Sequence, residues 1–145
     1  MGSCALVSAM EYNVRVLEVF FHGDLALSVR FDRPEAFSFL PGQFIIVTTV
    51  TGMPAMSKPL SLSGSPTDPW LEVTKGSTGH PFAESLRGLK PRDEVTIQGP
   101  WGNFTFRGEH PKVAFIAGGI GITPLWSMIR NASAMKYDTD TLMSG

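Results

Sequence analysis

Leu25-Ala26-Leu27-Ser28-Val29-Arg30-Phe31 alternates in side-chain character, with Leu25, Leu27, Val29 and Phe31 on one side and Ala26, Ser28 and Arg30 on the other. That two-residue period predicts a half-buried β-strand. Asp32-Arg33-Pro34 ends it, and Leu40-Pro41-Gly42 makes the next turn. Gln43 to Val50 is a β-branched run. From Trp70 to Lys75, Leu71 and Val73 face opposite to Glu72 and Thr74, and Val95-Thr96-Ile97-Gln98 supplies one more strand. Only Pro81 to Lys90 reads as helix, with Phe82, Leu86 and Leu89 on one face and Pro81 suited to the first turn. Many short strands between Tyr12 and Gln98, interrupted by one helix, predict a mainly β fold built as a closed antiparallel barrel.

The pattern changes near His110-Pro111. Val113-Ala114-Phe115-Ile116-Ala117 is a continuous apolar run, as expected of a strand buried on both faces. Gly118-Gly119-Ile120-Gly121 follows as a tight turn. Thr123 then reads as an N-cap with Pro124 at the first helical position, and Leu125, Met128 and Ile129 form the helix's buried face. A strand, a glycine turn and a helix in that order open a parallel α/β domain. A second strand is expected at Thr141-Leu142-Met143.

With 145 residues the chain has room for one good core. A formal net charge of −1 gives no footprint for nucleic acid or for an anionic membrane. No apolar run is long enough to span a bilayer, and residues 1–10 lack the basic start of a signal peptide, so a cytoplasmic location is expected. Cys4 is the only cysteine, which excludes an intrachain disulfide and a four-cysteine iron–sulfur cluster within this chain. His22, His80 and His110 are scattered without metal-ligand spacing and read as surface residues, so no metal site is expected.

Four segments have the composition of a ligand site. Ser57-Lys58-Pro59-Leu60-Ser61-Leu62-Ser63 combines a cation, a proline, an apolar residue and hydroxyls along one strand. Those groups suit a flavin's phosphate, ring and polar ring edge, and equally an amphipathic edge strand. Lys75-Gly76-Ser77-Thr78-Gly79-His80-Pro81 is a glycine-rich turn running into a helix, where unpaired backbone N–H groups favour an anion such as pyrophosphate; a plain capped loop reads the same way. Gly99-Pro100-Trp101-Gly102-Asn103-Phe104 sets aromatics in a turn, beside a planar ligand or as core. Gly118 to Pro124 would let a dinucleotide phosphate approach the backbone.

Taken in order, these segments resemble the signature of the ferredoxin–NADP reductase superfamily. Phe39-Leu40-Pro41-Gly42-Gln43-Phe44 resembles the family's turn before the flavin site, and Lys58-Pro59-Leu60-Ser61 falls at its Arg-x-Tyr-Ser motif. Asp93 to Phe104 resembles the segment that ends the barrel, and Ala117 to Pro124 the first phosphate turn of the nicotinamide domain. The resemblance implies a six-stranded antiparallel Greek-key flavin-binding barrel over residues 1–110. The first βα unit of a parallel nucleotide-binding domain would follow over 111–145. It implies FAD, in preference to FMN, held by Lys58, Pro59, Leu60 and Ser61 and by the loop Lys75, Gly76, Gly79, His80, Pro81 and Phe82. Ser61 would be the catalytic hydroxyl near the reactive ring nitrogen. Gly118, Gly119, Gly121 and Thr123 would be the nucleotide turn. The implied activity is electron transfer between NAD(P)H and a redox partner protein, iron–sulfur in kind. A flavin-free subunit that keeps only the barrel fold is the alternative.

The departures have consequences of their own. Lys58 in place of arginine keeps a point charge and loses the planar fork, and Leu60 in place of tyrosine offers a ring an aliphatic surface; both weaken flavin binding. The Ser or Thr common in the family's loop after the glycines has no clear match, because Phe82 and Ala83 occupy that region. The nucleotide-binding domain is expected to be incomplete, so NAD(P)H binding in the usual way is not expected. Self-association, or a partner chain that completes the C-terminal sheet, is expected to cover the apolar strand.

Overall fold

The computed structural model describes residues 10–50, 54–77 and 79–135. Six strands form one antiparallel sheet: β1 (Glu11–His22), β2 (Ala26–Asp32), β3 (Phe44–Thr49), β4 (Met56–Ser61), β5 (Trp70–Gly76) and β6 (Glu94–Trp101). Their order is β4-β3-β6-β1-β2-β5, so consecutive strands are separated in the sheet where the chain crosses from β2 to β3, from β4 to β5 and from β5 to β6. β1 serves two neighbours: its first part pairs with β6 and its second with β2, across a register shift between Val16 and Glu18. The extra residue of such a bulge bends a strand and sharpens its twist, which turns the sheet toward closure.

The ends of the sheet meet at one bridge, Leu62 to Val73. Beside it the Ser63 N–H donates to the Glu72 carbonyl at 2.8 Å, and the Leu62 N–H to the Gln43 carbonyl at 3.0 Å. The sheet is thereby a barrel. Its interior is filled by the alternating residues Val14, Val16, Val29, Phe31, Ile45, Val47, Leu71, Val73, Val95 and Ile97, each at most 2% exposed. Burying each such side chain stabilises the fold by about 1.5–3 kcal/mol before entropy is counted. Helix α1 (Pro81–Arg87) closes one end through Phe82 and Leu86, assisted by Leu89 after the helix, and the Ser85 hydroxyl bonds to Thr49 Oγ1 at 2.9 Å.

The turn at Leu40–Gln43 joins distant parts of the chain. The Gln43 N–H donates to the Leu40 carbonyl at 3.1 Å, and Gly42 takes φ +107, the left-handed sign that a type II turn needs at that position. The Gln43 side-chain amide donates to the Gly102 carbonyl at 3.0 Å. A Cβ on Gly42 would lie 1.9 Å from the Phe104 carbonyl oxygen.

Helix α2 (Ile122–Ala134) lies against the outer face of the barrel with Leu125, Met128 and Ala132 buried and Ile129 half-buried. Its start differs from the expected one. A 3-10 turn at Gly119–Gly121 runs straight into it, and Gly121 already has helical angles, so Thr123 sits inside the first turn rather than capping it. The Thr123 hydroxyl reaches back to the Ile120 carbonyl at 2.7 Å. Two more expectations need correction. Leu25 lies before β2 and is 83% exposed, since the ladder starts at Ala26. Val113–Ala117 forms no strand: Ile116 is 95% exposed and the run has no sheet neighbour among the described residues. An apolar run becomes a buried strand only where a ladder and two covering layers receive it. Thr141–Met143 lies outside the described residues.

Candidate functional site

The seam between β4 and β5 gathers most of the predicted flavin residues. These strands are the two edges of the sheet, and below the Leu62–Val73 bridge neither edge has a ladder partner among the described residues. Pro59, which has no N–H to offer a ladder, suits such an edge. Lys58 is opposite Val47, Leu60 opposite Ile45 and Ser61 opposite Phe44, so Lys58 and Leu60 share the core side while Pro59 and Ser61 share the outer one. Leu60 is 7% exposed and belongs to the core, so the aliphatic surface expected of it is spent inside the barrel. Lys58 and Pro59 are exposed and Ser61 is half-buried.

Across the seam Lys75 and Gly76 end β5, opposite Leu27 and Ala26. The loop then passes Gly79, whose φ of +68 favours glycine and whose missing Cβ faces open space. His80 precedes α1 without a side-chain cap hydrogen bond, and Pro81 takes the first turn. The first-turn N–H groups are left for solvent or a ligand. Phe82, expected in the loop site, is 3% exposed and is a core residue.

The glycine turn before α2 stands at a neighbouring groove of about 570 Å³. One wall is α2's start: Gly119, Ile120, Ile122, Thr123 and Trp126. The other is the outer face of β2 and β5, with Ser28, Ser63, Glu72, Thr74 and Gly76, and with His22 beside them. Gly76 therefore belongs both to the groove and to the seam's edge. Gly118 and Gly121 are exposed, and a Cβ on either would meet nothing within 4 Å.

Sequence reasoning missed the groove's polar wall. His22 Nε2 lies 2.7 Å from Ser28 Oγ, Ser28 Oγ 2.7 Å from Thr74 Oγ1, Thr74 donates to Ser63 Oγ at 2.9 Å, and Ser63 donates to Glu72 Oε1 at 3.1 Å. Glu72, 6% exposed, is held by Arg30 Nε at 2.8 Å, with Arg130 at 3.7 Å. Arg130 also pairs with Asp68 at 3.0 Å. The Arg30 guanidinium lies over the rings of Trp70 and Phe20, 4.5 and 4.9 Å from their centroids. A buried carboxylate is tolerated where such charged partners surround it. The two-residue alternation did put Ser28, Glu72 and Thr74 on the outward face; that α2 covers this face is a tertiary fact.

No protein-family model matches the chain. Over 102 residues it is 41% identical to the probable dihydroorotate dehydrogenase B (NAD(+)) electron transfer subunit of Pyrococcus abyssi, covering 70% of this chain and 36% of that protein. It is 32% identical over 104 residues to the glycine betaine monooxygenase reductase subunit of Chromohalobacter salexigens, covering 68% of this chain and 28% of that one. A ferredoxin NADP+ reductase from Neisseria gonorrhoeae, solved with bound FAD and NADP, superposes with a TM-score of 0.71 at 18% identity, covering 90% of this chain and 55% of that one. In fold the chain matches the ferredoxin–NADP reductases, and in sequence it is similar to electron transfer and reductase subunits. This reductase-like chain spans less than half the length of the first curated relatives it matches. Among its described residues no helix is long and apolar enough to cross a membrane, and no group of three His, Cys, Asp or Glu side chains is placed to hold a metal ion.

Proposed function

We propose that the chain is the flavin barrel of an electron-transfer protein that passes electrons between NAD(P)H and a redox partner through FAD. The observation that carries this reading is the seam: among the described residues it is the barrel's unladdered edge pair, and Lys58–Ser61 and Lys75–Gly76 stand on its two sides. The donor set fits a flavin dinucleotide. Edge N–H and C=O groups match the polar rim of a ring system, Lys58 supplies a cation for phosphate, and the uncapped first turn of α1 favours pyrophosphate. Gly79, with open space where a side chain would stand, lets the phosphates approach the loop backbone. When bound, the flavin supplies hydride acceptance and one-electron release. Ser61 is the hydroxyl we place by the ring; Gly118, Gly119, Gly121 and Thr123 form the turn we assign to the nicotinamide nucleotide.

In this reading residues 1–110 are the flavin domain and 111–145 begin the nucleotide-binding domain. The chain works in the cytoplasm with a second protein. The relatives' description as subunits supports a partner chain, as does the exposed apolar run at Val113 and Ile116. The partner, or a second copy of this chain, would supply the sheet neighbour that Val113–Ala117 lacks; the electron acceptor would be an iron–sulfur protein. Anaerobic titration of the FAD-loaded chain with NADH and with NADPH tests the activity. Slow bleaching of the flavin absorbance at best is the expected result, since NAD(P)H binding in the usual way is not expected, and an unchanged spectrum with both would refute hydride delivery to this chain.

A further inference from the structure

We propose that Glu72 is a positioning residue for the seam: through Ser63 it fixes the end of β4 that carries Ser61 against β5, and through Arg130 it makes that fit depend on the docking of α2. The inference deepens the flavin reading and rests on it only for what the seam holds. It follows from how the Ser61 end of β4 is held. On one side Ser61 lies opposite Phe44 of β3, and the Leu62 N–H donates to the Gln43 carbonyl at 3.0 Å. On the seam side one bridge, Leu62 to Val73, joins the two edges, and no longer ladder reinforces it among the described residues. Beside that bridge both Ser63 donors go to Glu72. The Ser63 N–H reaches the Glu72 carbonyl at 2.8 Å, and the Ser63 hydroxyl reaches Glu72 Oε1 at 3.1 Å.

Glu72 is 6% exposed, so its charge is held by whatever meets its two oxygens. Oε2 takes Arg30 Nε at 2.8 Å, from the residue opposite it on β2. Oε1 is shared. Ser63 donates to it from the end of the seam, and Nη1 of Arg130 lies 3.7 Å away on α2, while Nη2 of the same arginine pairs with Asp68 at 3.0 Å. One carboxylate oxygen is thus the point where α2 and the seam meet. With Arg130 removed, Arg30 is the cation left beside Glu72 among the described residues. A carboxylate facing a single guanidinium turns to offer it both oxygens. That rotation draws Oε1 away from Ser63 and loosens the end of β4. Linkage makes the effect reciprocal: a ligand that closes the seam at Ser61 steadies Ser63 and Glu72, and with them α2.

Two measurements on the full chain decide. Without flavin, scalar coupling across hydrogen bonds reads the bond from the Ser63 N–H to the Glu72 carbonyl, with the bond from Leu62 to Gln43 as reference. Arg130→Ala and Ser63→Ala should each weaken the first coupling and leave the second unchanged. With FAD, Ser63→Ala should lower affinity about three- to tenfold, as expected for one lost hydrogen bond. Saturating FAD should slow amide exchange across α2 of the native chain about three- to tenfold, and by less than about twofold in Ser63→Ala. A hydroxyl that merely stabilised the barrel would leave that slowing intact. The proposal is overturned if the Ser63–Glu72 coupling ignores either substitution, or if saturating FAD slows α2 equally in the native chain and in Ser63→Ala. A native chain that retains no FAD refutes the flavin reading, and the flavin-free couplings then decide the role of Glu72 alone. Should Arg130→Ala fail to fold, Arg130→Lys takes its place, since one ammonium lacks the fork that serves Asp68 and Glu72 together.

Discussion

Gly42 of the barrel turn and Met128 of α2 pack so closely that a Cβ on Gly42 would stand 2.6 Å from Met128 Cε. The same atom would overlap the Phe104 carbonyl, and the backbone angle at Gly42 already favours glycine. Gly42→Ala is therefore expected to destabilise the protein by about 2–4 kcal/mol, from strain and overpacking together. Urea denaturation followed by far-UV circular dichroism measures this. A loss below about 0.5 kcal/mol would mean that α2 does not dock as described.

Arg130 ties α2 to the barrel through Asp68 and Glu72, alongside a 2.6 Å hydrogen bond from Ser127 to the Gly64 carbonyl. Both acidic partners are largely buried. Arg130→Ala should cost about 1–3 kcal/mol, because it leaves Asp68 without its ion pair while Glu72 keeps Arg30. Hydrogen exchange should accelerate in α2 more than in β3 or β6. Equal acceleration everywhere would argue against a local latch.

Leu62 is fully buried at the bridge that closes the barrel. Leu62→Ala should destabilise by about 2–5 kcal/mol, the usual range for emptying a core leucine site. If the seam below the bridge is the flavin site, added FAD should recover part of that loss as a raised melting temperature. Equal melting temperatures with and without FAD would separate the bridge from the ligand.

The barrel was legible because one face of each strand is buried. Val29 and Phe31, or Leu71 and Val73, declare themselves by alternation, and α1 by the spacing of Phe82, Leu86 and Leu89. The polar wall was not legible, since nothing local marks Glu72 as buried; its burial depends on α2, which joins the barrel from more than fifty residues further along the chain. Val113–Ala117 shows the converse. Its composition reads as a strand, yet strand formation is a property of the neighbours as much as of the run. Thr123 looked like a cap because the 3-10 turn before it is built of residues that carry no helical signature of their own.

Lys58 stands exposed on β4, where a phosphate would meet a point charge. Lys58→Ala should weaken FAD binding about three- to tenfold, with the loss shrinking as salt is raised. Lys58→Arg should tighten it, since the guanidinium fork engages phosphate through two bonds. Isothermal titration at two salt concentrations distinguishes this from a packing effect, which salt would leave unchanged.

FAD binding to the full chain tests the flavin seam directly. Equilibrium dialysis with parallel fluorescence should show one FAD retained per chain with quenched emission, and perturbed amide signals at Lys58–Ser61 and Lys75–Gly79. A folded chain that retains no FAD, or retains it without disturbing either edge of the seam, would contradict the account.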